Sequence, residues 1–308
     1  MSVKLTAERN ILKRKLRAEE TAEKNVNAVL KDESVRILFV KAKQLVVDIA
    51  KLDVAGKSSK KKREEYNKTR ELIADILKDM GVNKADLRPV YSCSACKDTG
   101  YLPGRVECEC LKKEISLEFA RQNGFDVDNS PKFNDDYSIF DNPKKVQLIY
   151  DKMKKFVDEL ETTQVDTVLL FGDTGVGKTY LMECMMSHAV ELCKTTKFVT
   201  AFNFNQDMLK YHCASLDEKS MIMEDYVNAD ILFIDDLGTE NKINNVTCEY
   251  LYSVINDRLC KHKKTVISTN LDFAQIQDVY GERIFSRLMH KKNGVRINFE
   301  GCDLRLKK

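Results

Sequence analysis

The stretch Gly172-Asp173-Thr174-Gly175-Val176-Gly177-Lys178-Thr179 constrains this chain more than any other. It follows the apolar run Thr167-Val168-Leu169-Leu170-Phe171 and leads into Tyr180-Leu181-Met182-Glu183-Cys184-Met185-Met186, which has helical character. Strand, glycine loop and helix in that order form the context in which GxxxxGK[ST] folds as a phosphate-binding loop. Glycines at these positions let backbone N–H groups turn inward as an anion nest, and the helix N-terminus adds the positive end of its dipole. Lys178 supplies a point charge for the β- and γ-phosphates, and the Thr179 hydroxyl is a ligand for Mg²⁺. A plain glycine turn before an amphipathic helix is the competing reading, and it does not explain why every defining position is filled.

The 308 residues suffice for about two domains, each able to bury a sizeable core. A hydrophobic content of 43% with 32% charged residues suits a globular protein, and no run of 18 apolar residues is present. The start, Met1-Ser2-Val3-Lys4-Leu5, becomes charged at once and lacks the apolar core of a signal peptide. The expectation is a cytoplasmic chain with no membrane contact, whose ten cysteines are reduced thiols or metal ligands. The net charge of +3 hides an asymmetry: residues 1–80 hold 20 Lys/Arg against 13 Asp/Glu, and the remainder 31 against 35. The half carrying the phosphate loop is therefore no basic slab for coating duplex DNA.

Residues 1–80 read as helices. One begins near Ser34, an N-cap candidate, with Val35, Leu38, Phe39, Ala42, Leu45, Val46 and Ile49 at helical spacing. Another runs from about Lys61 to Met80, with Tyr66, Ile73, Ile76, Leu77 and Met80 on one face and Gly81 as its C-cap. The first, within about residues 5–30, is less periodic. The basic run Lys57–Arg63 suits either a nucleic-acid or acidic-partner contact or a solvated loop entering a helix. Cys93-Ser94-Ala95-Cys96 and Cys108-Glu109-Cys110 follow, separated by residues that include Gly100, Pro103 and Gly104. Four thiolates so spaced can close a tetrahedral, structural Zn²⁺ site. Free thiols or a redox cluster are the alternatives. The other six cysteines, 184, 193, 213, 248, 260 and 302, stand singly in apolar surroundings and read as small core residues.

A short helix over Leu111–Arg121 and the polar stretch Asn123–Pro131 read as a domain junction. Phe133, Tyr137, Ile139 and Phe140 then pack against either a nucleotide base or the sheet. Beyond Pro143, helical segments alternate with strand candidates Thr167–Phe171, Phe198–Phe202, Ile231–Ile234, Thr265–Ser268 and Val295–Phe299, which argues an α/β fold with a parallel sheet covered on both faces. Ile231-Leu232-Phe233-Ile234 runs straight into Asp235-Asp236, the Walker B pattern of an apolar strand ending in acid. Asp235 would join Thr179 in holding Mg²⁺, and Asp236 would orient and polarise the attacking water. Another strand ends Ser268-Thr269-Asn270, whose amide can contact a γ-phosphate or that water. Arg283 and Arg287 lie four apart on one helical face, where composition alone favours surface charges.

Together the phosphate loop, Ile234-Asp235-Asp236-Leu237-Gly238, Ser268-Thr269-Asn270 and Gly281-Glu282-Arg283-Ile284-Phe285-Ser286-Arg287-Leu288 resemble the AAA+ ATPases of the DnaC/DnaI-type bacterial helicase-loader family. The CxxC…CxC segment, with Asp98-Thr99-Gly100-Tyr101 and Cys110-Leu111-Lys112, is similar to the zinc-containing part of DnaI-type loaders. The resemblance covers roughly residues 90–308 by motif and 1–90 by position and helical character. It implies an AAA+ P-loop ATPase with a five-stranded parallel sheet, the Asn270 strand lying between the phosphate-loop and Walker B strands. It also implies that Asn270 is sensor I, Arg287 an arginine finger acting on a neighbouring subunit's nucleotide, Arg283 its companion and Arg305 a sensor II arginine. The organisation expected is a helical helicase-binding region at 1–90, a zinc module at 91–112, a linker at 113–140 and the ATPase domain at 141–308. ATP, Mg²⁺ and Zn²⁺ are the implied cofactors. The implied partners in replication initiation are the replicative hexameric helicase, single-stranded DNA and further copies of the chain. A transposition helper ATPase working with a transposase is the second reading, though such helpers usually resemble only the ATPase half. A small-molecule kinase is a third, and no arginine-rich substrate lid supports it.

Overall fold

The computed structural model of the chain describes residues 3–306 apart from 128, 134, 135 and 291, and the side chains of all these except 216–218, 220 and 221. Met1, Ser2 and Asp128, which belong to stretches read above, lie outside the described residues. Two compact units are present: Glu8–Cys110, and Leu111–Lys308 together with Met1–Ala7.

In the first unit, α1 (Val3–Val29) from Glu8 onward, α2 (Glu33–Val54) and α3 (Lys60–Asp79) account for the helical signal. α1 runs unbroken because no glycine or proline interrupts it. α2 is capped by Asp32, whose side chain accepts the N–H of Val35 at 3.1 Å, and the expected cap Ser34 instead donates to Asp32. Val29, Val35, Ile73 and Leu77 form a small core, while Val46, expected on this face, is exposed. Gly81 lies just beyond the C-cap Met80 with φ +69°. The Lys57–Arg63 run is paired in part with its own unit: Arg63 Nη2 meets Asp53 at 2.7 Å, and Lys62 Nζ meets Glu65 at 3.6 Å and Asp48 at 3.8 Å. Strands β1 (Tyr101–Leu102) and β2 (Val106–Glu107) form an antiparallel ribbon around a turn at Pro103–Arg105.

The second unit is a doubly covered parallel sheet. Its elements in order are α4 (Glu109–Gln122), α5 (Pro143–Asp158), β3 (Thr167–Gly172), α6 (Lys178–Glu191), β4 (Thr196–Thr200), α7 (Ala201–Cys213), α8 (Leu216–Asn228), β5 (Ile231–Leu237), α9 (Thr247–Cys260), β6 (Lys264–Thr269), α10 (Phe273–Leu288) and β7 (Gly294–Phe299). The strand order is β4-β5-β6-β3-β7 and every pairing is parallel. The Asn270 strand therefore lies between the other two site strands, as the resemblance implies. Successive strand residues point to opposite faces. Val168 and Leu170 accordingly join one buried cluster with α5 and α6, while Leu169 joins the other with α7, α9 and α10.

Three further features differ from expectation. β4 ends at Thr200 because the Thr200 hydroxyl accepts the Asn203 N–H at 3.2 Å and caps α7, which takes Ala201 and Phe202 into a helix. Residues 113–140 do not form a free linker. Ser116 and Ala120 are fully buried, and Phe133, Tyr137 and Phe140 stand edge-on to Tyr150 with ring centroids 5.2–6.1 Å apart. Of the six single cysteines only Cys184 is buried; Cys213, Cys260 and Cys302 are exposed, the first two at the last positions of α7 and α9.

Candidate active site

The residues of the phosphate-loop motif converge at the C-terminal ends of β3, β5 and β6. The loop turns because Gly172, Gly175 and Gly177 have φ of +136°, +80° and +98°. At Gly172 a side chain is also barred by space, since a Cβ there would lie 2.0 Å from the carbonyl oxygen of Phe299. Asp173, Thr174 and Val176 complete the loop, and Lys178 opens α6. Lys178 is 5% exposed, and its ammonium donates to the carbonyls of Gly172 at 2.8 Å and Asp173 at 2.7 Å and to Asn270 Oδ1 at 2.7 Å. All three acceptors are neutral. Burial pulls Lys178 below its ordinary value, with the charges of Asp236 and Asp235 pulling the other way. A buried cation held by neutral oxygens at the mouth of an anion nest is suited to phosphate oxygens.

The Thr179 hydroxyl donates to both oxygens of Asp235, at 3.0 and 3.2 Å. These are the groups that would ligate Mg²⁺. In a regular strand Asp235 and Asp236 would face opposite sides. Here the register between β5 and β6 shifts between Ile234 and Leu237, and Asp236 takes a left-handed φ of +55°. Such an irregularity redirects a side chain at a strand end, and Asp236 lines the same cavity as Lys178, Thr179 and Asn270. Burial, then the neighbouring Asp236 charge, pushes Asp235 above the usual carboxyl range, opposed by hydrogen bonds from Ser268 and Thr179. Ser268 was not singled out from sequence, yet its hydroxyl donates to Asp235 and accepts the Asp236 N–H at 2.8 Å. Glu183, one turn beyond Thr179, was given no role from sequence either; burial and then the Asp235 charge raise its carboxyl.

The cavity has a volume of about 620 Å³. Thr174, Gly175, Gly177 and Arg305 line it at one side, and Tyr137, Ile139, Phe140, Tyr150 and Tyr180 give it an aromatic and apolar wall. The Tyr150 hydroxyl is buried with no hydrogen-bond partner among the described residues. Loop, paired acids, amide and apolar wall together fit a nucleoside triphosphate with its metal.

Arg283 and Arg287 are not among the cavity residues. α10 breaks at Gly281, φ +82°, and its second segment lays both arginines over α9. The Arg283 guanidinium stands 4.3 Å above the Tyr252 ring. Arg287 donates from Nε to Asn256 Oδ1 at 3.1 Å and from Nη2 to the Tyr252 hydroxyl at 3.4 Å. Nothing in the loop geometry of this chain calls on them.

In the other unit, the sulfurs of Cys93, Cys96, Cys108 and Cys110 lie within 4.8 Å of one another. Cys93–Cys108 and Cys96–Cys110 are separated by 3.7 and 3.3 Å. Sulfurs bound tetrahedrally at ~2.3 Å from zinc stand roughly 3.8 Å apart, so the cluster matches a four-thiolate metal site. Buried Asp98 secures the first knuckle by accepting the N–H groups of Ser92 at 2.8 Å and Cys93 at 2.9 Å.

A family model described as IstB-like ATP binding protein matches residues 147–308. The chain is similar to the phage-like element PBSX protein XkdC of Bacillus subtilis, 25% identical over 222 residues, covering 63% of this chain and 79% of that protein. It is also similar to the chromosomal replication initiator protein DnaA of Helicobacter acinonychis, 33% identical over 90 residues, covering 29% of this chain and only 19% of DnaA. A crystal structure of the DnaC helicase loader superposes with a TM-score of 0.45 at 18% identity, covering 58% of this chain and 99% of that one. Among the described residues no helix is long and apolar enough to cross a membrane.

Proposed function

The chain belongs to the family of IstB-like ATP binding proteins, and from that premise we propose that it is an ATP-dependent loader of a replicative hexameric helicase onto single-stranded DNA, acting in the cytoplasm. The observation that carries this reading is the presence, in one chain, of a nucleotide site and a separate compact unit, Glu8–Cys110, bearing a four-cysteine cluster. Such a unit suits a partner-gripping module held together by zinc on Cys93, Cys96, Cys108 and Cys110.

In the ATPase unit the glycine loop from Gly172 to Thr179 would hold the triphosphate, with Lys178 on its terminal phosphates. Thr179 and Asp235 would hold Mg²⁺, which neutralises charge developing on the phosphates. Asp236, turned into the cavity by its left-handed backbone, would orient and polarise the attacking water, and Asn270 would hold that water or the γ-phosphate. Arg305 would contact the phosphates from the cavity wall. Arg287, with Arg283 beside it, would serve the nucleotide of an adjacent copy, which explains why its own chain parks it on Tyr252 and Asn256. Assembly and hydrolysis are then coupled.

The family match to the ATPase half alone favours a second reading, a helper ATPase acting on DNA with a transposase. Gel filtration separates the two. The full-length chain, mixed at micromolar concentration with its host's replicative helicase and an ATP analogue, should co-elute with it. Separate elution, with ATP-dependent binding to duplex DNA instead, overturns the loader reading.

A further inference from the structure

The last described residues lie against the phosphate loop. Leu304 N–H donates to the carbonyl of Gly175 at 3.0 Å. Asp303 comes closer still, since a Cβ built on Gly175 would meet its Oδ1 at 2.0 Å. The same carboxylate engages both arms of the Arg305 fork, Oδ1 accepting from Nε and Oδ2 from Nη2, each at 2.9 Å. Oδ1 also accepts the Arg305 backbone N–H at 3.0 Å. Arg305 nevertheless lines the nucleotide cavity with Lys178, Asp236 and Asn270. One guanidinium thus stands at the cavity while a carboxylate beside the loop takes two of its five donors, one on Nε and one on Nη2.

We propose that Asp303 is a positioning residue that keeps Arg305 off the nucleotide until a third phosphate draws it away. The proposal rests on the ATP-binding reading of the cavity. An arginine fork matches a carboxylate and a phosphate equally well, so the two anions compete for the same donors. A diphosphate places its terminal phosphate in the nest on Lys178 and presents no further charge to Arg305. A triphosphate does. Arg305 therefore stays with Asp303 when the site holds ADP and passes to the γ-phosphate when it holds ATP. The ligand's differential contact with the two arrangements is what shifts the population between them.

The test is a titration of the full-length protein with fluorescent ATP and ADP analogues, for the wild type, Asp303→Asn, Arg305→Ala and the double variant, with thermal unfolding of each. Asp303→Asn keeps the side chain's size and removes its charge. An exposed pair of this kind biases an equilibrium by roughly two- to fivefold, so affinity for the ATP analogue should rise by about that factor while affinity for the ADP analogue stays level. In the Arg305→Ala background the gain should disappear. Asp303→Ser gives the same readout should asparagine disturb the loop. An equal gain for both nucleotides, a gain that persists without Arg305, or no gain in either folded variant overturns the proposal. Failure of the wild type to bind either analogue overturns the ATP-binding reading itself, and the proposal with it.

Discussion

Replacing Ser268 by alanine removes one oxygen and two hydrogen bonds from the centre of the site. The residue is fully buried on β6, its hydroxyl donating to Asp235 and accepting the Asp236 N–H at 2.8 Å. An interior N–H deprived of its acceptor costs about 1–3 kcal/mol, and the bond to an ionised carboxylate is of similar size. Allowing for partial relaxation, Ser268→Ala should destabilise the ATPase unit by roughly 2–3 kcal/mol, which lowers the unfolding midpoint of a unit this large by about 4–12 °C. A second effect has a definite sign. Burial already lifts Asp235, and the Ser268 hydrogen bond is the largest influence holding it down. Without that bond the carboxyl rises further. A carboxyl whose folded value exceeds its unfolded value binds protons preferentially in the folded state, so its contribution to stability falls as pH rises between the two values. The variant's deficit should therefore be smallest at low pH and grow as pH climbs from the wild-type value of Asp235 to the variant's. The acid limb of the ATP turnover profile should move to higher pH, because the Mg²⁺ proposed to sit on Asp235 would need the ionised carboxylate. Thermal unfolding across pH and a pH–rate profile read both effects. An unchanged midpoint together with an unchanged acid limb would refute the role given to Ser268.

Arg287→Ala should bind ATP nearly normally but fail to turn it over, a finger in trans being worth ~10³–10⁵ in rate. Mixed with Lys178→Ala, which has a sound finger and an empty loop, it should recover part of the lost activity; recovery of none, with Arg287→Ala itself unable to bind ATP, places the arginine in cis. About one zinc per chain should be found by metal analysis of protein purified without chelators, and none would refute the four-thiolate site. Asp98→Ala strips the Ser92 and Cys93 N–H groups of their acceptor and should weaken zinc about 10–100-fold, measured by competition with a chromogenic chelator.

What could be read from residues alone was whatever is local. Apolar runs ending in glycine or acid marked β3 and β5, and the motif spacing picked out Lys178, Thr179, Asp235 and Asn270 before any contact was known. Errors arose where two local signals competed. Phe198–Phe202 looks like strand, yet Thr200 followed by Asn203 is also a helix cap, and the cap won. Ser34 and Asp32 could each cap α2, and the carboxylate took the Val35 N–H. Residues 113–140 have the polar composition of a linker, but the few aromatics among them are enough to seal Tyr150. Ser268 stood in the quoted Ser268-Thr269-Asn270 run, but its role was hidden because a serine inside an apolar strand looks like any strand residue until its neighbours across the sheet are known. The place of Asp303 beside the phosphate loop carries no local signal, since Gly175 is remote in the chain.

The place of β6 in the sheet also bears on how the protein is made. β3 pairs only with β6 and β7, both of which leave the ribosome long after it. Until residues 264–269 emerge, Val168, Leu169 and Leu170 have no strand to lie against, and Ile231–Ile234 has only β4. Pairing over such separations is slow to close, and unpaired apolar strands invite association in the interval. A chain stalled before β6 therefore carries its whole glycine loop and both acids with no scaffold to bring them together, and it is this unfinished species that a cell must shield.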